Sequence, residues 1–232
     1  MGVKRFKLYH YPATRSARVK WLLHELLGDD FDVEVVPLYE GAQHEAKYLE
    51  LNPNHNVPTL EMLMDDGERV VMLESGAMVT MLADAFPEKG LAPPPLPLGP
   101  ERARYLQMVH FGGSWMDMML WQIRVHTRLL PPAARDERTV ERYRKKFQAE
   151  VEPQLIDRLR PGGYICGDAF TAADCLMGQT VLWAKAYGLC QNEVFSGYVS
   201  RFTKRPAFTA AYADLGDFTL EAPPERQARF NG

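Results

Sequence analysis

The feature that most constrains this chain is a proline-rich break, "PEKGLAPPPLPLGP", at residues 87–100. Proline lacks the N–H that a helix or sheet ladder needs, and two glycines within the run add backbone freedom, so no regular element crosses it. On either side the periodicities differ. Before the break the pattern alternates. Lys4 to Tyr9 reads as a strand, and "SARVKWLLHELLG" is a helix with Val19, Leu22, Leu23, Leu26 and Leu27 on one face and Gly28 as its stop. "FDVEVVPL" is a second strand, Gln43 to Leu51 a weak helix, and "PTLEML" and "RVVML" a hairpin about the turn "DDG", closed by the helix "SGAMVTMLADAF". After the break only helical spacing is found, in "ERARYLQMVHFGGSWMDMMLWQIRVH", "DERTVERYRKKFQAEVEPQLIDRL", "TAADCLMGQTVLWAKAYG" and segments near 194–203 and 206–214. The expected architecture is an α/β domain, β-α-β-α-β-β-α, over residues 1–86, a linker over 87–100 and an all-α domain over 101–232.

A chain of 232 residues with 46% hydrophobic content has enough apolar side chain for packed cores. The net charge of -3 and the scattered Lys and Arg residues give no nucleic-acid footprint. The opening "MGVKRFKLYHYP" has no apolar signal core, and no apolar run approaches membrane-spanning length, so a cytoplasmic protein acting on small molecules is expected, with no membrane or nucleic-acid partner. Cys166, Cys175 and Cys190 have neither CxxC nor Cys/His spacing; they read as reduced, packed thiols, and no metal is expected.

Three short motifs carry chemistry. In "NVPTLEML", Pro58 suits either the first position of a strand or a cis Val57–Pro58 bond that presents the Val57 backbone to an extended peptide. In "LESGAM", Glu74 and Ser75 open a helix directly after a strand. They serve either as a cap or as a site where Ser75 and the first-turn N–H groups bind a carboxylate while Glu74 meets an ammonium. A γ-glutamyl group carries both charges. In "FTAADCLM", Thr171, Asp174 and Phe170 form a capping box with a hydrophobic staple, which is a folding signal.

Together "NPNHNVPTL", "LESGAM" and "YICGDAFTAADCLMG" make the chain resemble the soluble glutathione S-transferases over nearly its whole length. The pattern is that of a bacterial-like member with a phi-, delta- or theta-like Ser/Thr active site. The resemblance implies a thioredoxin-like domain with Pro58 as the cis-proline and Val57 pairing with the cysteinyl part of glutathione. It also implies a helical domain bearing the electrophile pocket, and a cytoplasmic homodimer in detoxification. Glutathione would be co-substrate beside a small hydrophobic electrophile, in conjugation or peroxide reduction. The alternative is a non-catalytic glutathione-binding or regulatory module on the same fold.

A thiol with a pKa near 8.5 is only slightly ionised at pH 7, and lowering that pKa by about two units takes roughly 2.7 kcal/mol. One hydrogen bond to the charged sulfur, aided by a helix N-terminus, supplies this. By the family pattern Thr14, four positions before Arg18-Val19 and two after Pro12, is the first choice for that donor; Tyr11 is second and Ser16 third. Tyr9 points into the core. The absence of cysteine here departs from the members that form a mixed disulfide with glutathione. His55 stands where delta-like members place a histidine on the glycyl carboxylate, while Asn56 departs from the Gly-Lys pair of other classes. Gln43 or His44 is a second glycyl contact. Phe111, Trp115 and Met119, from a Met- and aromatic-rich stripe in "MVHFGGSWMDMMLW", are the expected electrophile contacts. The segment 219–232 reads as a free tail or as an arm over the site.

Overall fold

The computed structural model describes residues 2–215. Strand β1 (Val3–His10) lies at the centre of a four-stranded sheet with order β2-β1-β3-β4, where β2 is Asp32–Val35, β3 Thr59–Met64 and β4 Arg69–Met72. β2 runs parallel to β1, and β3 and β4 antiparallel to their neighbours, with Leu8 opposite Val33 and Tyr9 opposite Thr59. The alternation of β1 decides what each face buries. Phe6 and Leu8 enter the main core beneath α1 (Ser16–Leu27) and α3 (Ser75–Ala85), whereas Tyr9 joins Tyr11, Val36, Tyr48 and Val57 in a second cluster under α2 (Ala46–Leu51). This is the expected thioredoxin-like order.

Two local signals act as expected. Gly28 ends α1 at φ 64°, donating its N–H to His24 O, and Gly67 turns the β3–β4 hairpin at φ 88°. β2 is shorter than its apolar run: Val36 N–H still bonds His10 O, but Pro37 has no N–H to continue the ladder.

After the proline-rich segment come α4 (Pro100–His110), α5 (Asp117–Arg124), α6 (Glu137–Glu150), α7 (Glu152–Leu159), α8 (Ala172–Ala186), α9 (Glu193–Phe202) and α10 (Pro206–Ala211). The single long helix expected over 101–126 is divided by a wider π-type turn at Phe111–Met116. Gly112 lies against α8, where an added Cβ would sit 2.4 Å from Leu176 Cδ2 and 2.6 Å from Met177 Sδ. The wider turn delivers Asp117 to the domain junction.

The main core is continuous across both halves. Trp21 of α1 meets the rings of Phe170, Phe202 and Phe208 at centroid distances of 5.5, 5.3 and 5.0 Å. Gly178 of α8 lets that helix reach Trp21. α8 begins with the expected capping box. Asp174 Oδ2 accepts from Thr171 N (2.8 Å) and Thr171 Oγ1 (3.1 Å), and its Oδ1 accepts from Ile165 N (2.9 Å) and Tyr198 Oη (2.8 Å). The three cysteines are free, Cys175 and Cys190 buried and Cys166 half-buried, and burial pushes the Cys166 thiol up to about 12.

Candidate functional site

The C-terminal end of β1 and the start of β3 are neighbours because Tyr9 pairs with Thr59. Open α/β sheets offer ligand sites at the carboxyl ends of their strands. Three loops converge there. The first, Tyr11 to Arg15, leads into α1. Thr14 is half-buried; its Oγ1 lies 2.7 Å from Tyr11 O and 2.7 Å from Ser16 Oγ, and receives Ser16 N–H at 3.3 Å. Thr14 therefore also has the cap-like contact that a threonine before a helix is expected to make.

Tyr11 and Ser16, the second and third choices, are placed differently. Tyr11 is buried edge-on against Tyr39, and burial pushes its hydroxyl up to about 12. Ser16 is fully buried, and its Oγ is engaged by Tyr11 N (3.1 Å), Tyr11 O (3.1 Å), His10 Nδ1 (2.7 Å) and Thr14. Ser16 thus has no exposed surface of its own, and the half-buried hydroxyl beside it is that of Thr14.

The second loop holds the Val57–Pro58 bond, which is cis. Its geometry is set by Asn52, a buried residue that the sequence reading passed over. Asn52 Nδ2 donates to Asn56 O (2.9 Å) and to Thr59 Oγ1 (2.9 Å), while Asn52 Oδ1 accepts from Asn54 N (2.9 Å). The Asn56 carbonyl also receives Tyr48 Oη at 2.6 Å, so this residue's backbone is held inward while its side chain is exposed. His55 is exposed, and its ring lies 4.9 Å from that of His44, so two of the expected glycyl contacts share one patch. Gln43 precedes His44 in the same turn, and its Oε1 is buried with no partner among the described residues.

The third loop carries Glu74 and Ser75. Ser75 Oγ accepts from Arg18 Nη1 at 3.3 Å, which turns the serine's own hydrogen away from α1. Arg18 is fully buried and joins the domains: its guanidinium makes a two-pronged pair with Asp117 of α5 at 2.8 and 2.6 Å, and donates to Gln179 (2.7 Å) and Thr180 (2.8 Å) of α8. Five hydrogen bonds to four residues satisfy the buried charge, as burial requires.

The three residues expected to meet an electrophile are placed differently from one another. Met119 is completely buried in the main core and does not line an open surface; a Met stripe at helical spacing packs inward here. Trp115 is exposed, with Lys146 of α6 over its ring at 4.9 Å, and Phe111 is half-buried against the core. The face of α5 turned to the N-terminal domain instead bears Asp117, Trp121 and Arg124. Arg15 lies over Trp121 at 5.5 Å, and Arg124 donates to Tyr39 Oη at 2.8 Å. Their i, i+4, i+7 spacing was present in the sequence, but polar members hid it in a search for an apolar stripe.

Among the described residues no group of side chains could hold a metal ion, and no helix is long and apolar enough to cross a membrane. A thioredoxin-like domain with three loops gathered at one sheet end, followed by a helical domain, defines a glutathione-transferase architecture. Residues 8–90 match the family model for the N-terminal domain of glutathione S-transferase. The chain is similar to the glutathione S-transferase GstA of Escherichia coli, with 28% identity over 90% of this chain and 98% of that protein. It is also similar to the crystal structure of a glutathione transferase from Methylococcus capsulatus, with 28% identity, a TM-score of 0.76 and coverage of 92% of this chain and 100% of the other. The fold is shared with a Burkholderia graminis glutathione transferase solved with two glutathione molecules per subunit, at 22% identity, a TM-score of 0.77 and coverage of 90% and 88%. Over nearly its whole length the chain is thus similar to the soluble glutathione S-transferases, with residues 8–90 matching their N-terminal domain.

Proposed function

We propose that this glutathione S-transferase binds glutathione across the three loops and uses the Thr14 hydroxyl to hold its sulfur as a thiolate for attack on a small hydrophobic electrophile. One observation carries the reading. Among the described residues, four non-glycine residues have positive φ, and three of them, Ala13 (56°), His55 (44°) and Glu74 (72°), stand one to each converging loop. Such conformations cost on the order of 1–3 kcal/mol each and persist where the surroundings over-determine them, which happens at ligand clamps. Each precedes a candidate contact: Thr14, the Asn56–Val57 backbone, and Ser75.

The roles follow from chemistry. The outward hydroxyl of Ser75 and the N–H groups opening α3 suit the γ-glutamyl carboxylate, and Glu74 suits its ammonium. Val57 makes none of the sheet or loop backbone bonds found among the described residues, so its backbone suits an extended peptide. His55, with Gln43 or His44, suits the glycyl carboxylate. Trp121 and Arg15 stand at the mouth on the α5 side, where an apolar electrophile would approach. A Ser/Thr-type active site, a cytoplasmic homodimer and a detoxifying role belong to the same reading. Isothermal titration with glutathione tests it. Ser75→Ala should weaken binding about tenfold, or about 1.4 kcal/mol; an absence of binding at millimolar glutathione would overturn the proposal.

A further inference from the structure

Behind Thr14 lies a chain of hydrogen bonds that the glutathione site does not need for binding. Thr14 Oγ1 is 2.7 Å from Ser16 Oγ, and Ser16 Oγ is 2.7 Å from His10 Nδ1. Across the imidazole, His10 Nε2 stands 3.2 Å from Asp214 Oδ2, an oxygen that Lys20 Nζ also contacts at 2.6 Å. Ser16 and His10 have no exposed surface, so bulk water does not interrupt the chain. We propose that this chain is a proton relay in which His10 takes up, through Ser16 and Thr14, the proton that the glutathione thiol loses. The inference rests on the assignment of Thr14 to the sulfur.

Counting hydrogens makes the case. Thr14 and Ser16 each have one hydroxyl hydrogen. A neutral His10 with its hydrogen on Nε2, the side on which Asp214 Oδ2 stands 3.2 Å away without an aligned hydrogen bond, has a lone pair on Nδ1, which accepts from Ser16. The Thr14 hydrogen is then turned inward, to Ser16 Oγ or Tyr11 O, and what Thr14 presents outward is a lone pair. A lone pair is what a thiol S–H donates to; a thiolate instead needs a donor. Transfer converts one arrangement into the other. The S–H bond breaks as its proton joins Thr14 Oγ1, the original Thr14 proton passes to Ser16, and the original Ser16 proton passes to His10 Nδ1. One S–H is exchanged for one N–H, both hydroxyls are restored, sulfur keeps the electron pair, and Thr14 now donates to the thiolate. The added charges are one negative on sulfur and one positive on imidazole.

The groups facing His10 suit this role. Ser16 and Lys20 approach from α1 and Asp214 from the turn after α10. Burial first, and Lys20 with it, lowers the His10 pKa against the opposing pull of Asp214, which leaves the ring neutral and ready to accept. Burial alone would raise the Asp214 carboxyl, but His10 and Lys20 outweigh it and bring it down to about 2, so a carboxylate stands ready to balance the imidazolium.

Two signals on adding saturating glutathione near pH 7 test the relay: ultraviolet absorbance of the thiolate, and protons released to a weakly buffered indicator dye. In the wild-type protein less than one proton should appear in solution per thiolate formed, because His10 retains the remainder. His10→Asn places an amide where Nδ1 stood and cannot hold the proton. It should release one proton per thiolate and raise the thiol pKa by about one unit, tenfold less thiolate at a given pH. Ser16→Ala cuts the chain at its middle and should do the same, and it carries the test by itself if His10→Asn does not fold. Equal proton release in wild type and both variants overturns the relay. If glutathione does not bind at all, the proposed function fails and the relay with it. If Thr14→Ala leaves the thiol pKa unchanged, the assignment of Thr14 fails. If Thr14→Ala raises that pKa while His10→Asn and Ser16→Ala do not, the relay alone fails.

Discussion

Two helices of this chain begin just after a threonine, and they begin differently. At α8, Thr171 is buried and its partner Asp174 accepts four hydrogen bonds from three residues, so the start of the helix is closed on itself. At α1, Thr14 is half-buried, stands one residue before the cap position held by Arg15, receives Ser16 N–H only at 3.3 Å, and is followed inward by Ser16 and His10 rather than by an acid that seals the turn. The same side chain serves folding in one place and remains available to chemistry in the other. Both hydroxyls have an acceptor; what differs is that the acceptor of Thr171 is a buried carboxylate closing the turn, whereas Thr14, bonded to Tyr11 O and Ser16 Oγ, keeps exposed surface.

The largest effect should come from opening the closed start. Asp174→Ala leaves the Ile165 N–H, the Thr171 N–H and the Tyr198 hydroxyl buried without their acceptor. At about 1–3 kcal/mol for each unsatisfied group, partly relieved by relaxation, a loss of about 3–5 kcal/mol in urea denaturation is expected. Glutathione affinity measured on the folded fraction should be unchanged; a selective loss of affinity with full stability would break the comparison.

At the open start the balance reverses. In the proposed role of Thr14, Thr14→Ala would remove one hydrogen bond to a charged sulfur, worth roughly 1.5–3 kcal/mol, and should lower kcat/KM for glutathione by about ten- to a hundredfold. Its cost in stability should stay near or below about 1 kcal/mol, the usual value of a lost cap. Thr14→Ser retains the hydroxyl and should retain most of the rate. A variant Thr14→Ala with wild-type turnover would assign Thr14 to capping, as at Thr171. The converse substitution, Thr171→Ala, should cost about 0.5–2 kcal/mol of stability and leave turnover intact.

This contrast also marks how far the sequence could be read. The α8 box was legible because all its members lie within five residues, Phe170 to Asp174, in a pattern set by helix geometry. The order of elements along the chain, Gly28 and the Gly67 turn were legible for the same reason, since turn chemistry and side-chain period are local; for Pro58 the residues left a strand start and a cis bond open, and only the family resemblance pointed to cis. The relay behind Thr14 was not, because His10 looks like an ordinary strand residue and Asp214 comes from the far end of the chain. Arg18 was read as a spacing marker. Its buried guanidinium meets partners ninety-nine and more than a hundred and sixty positions away, and no periodicity encodes that. Met119 failed in the opposite sense, since an apolar stripe in sequence does not say which side of the helix the second domain covers.

The smallest effect is also the most specific to the open start. His10 has its pKa lowered in the fold, chiefly by burial, whereas in the unfolded chain it titrates near 6.5. The unfolded state therefore binds more protons than the native state at pH values below about 6.5, and stability must fall as pH is lowered through that range. The contribution is fully present above 6.5 and is lost on acidification. His10→Asn cannot titrate, so its stability, measured by urea denaturation without glutathione, should fall less than wild type between pH 7 and pH 5. Bound glutathione should reverse the sign for His10 in the wild-type protein, because a thiolate at the end of the chain favours the imidazolium that burial opposes. A wild-type stability difference between pH 7 and pH 5 that His10→Asn reproduces in full would mean that other groups titrate there and that the open start carries no buried base.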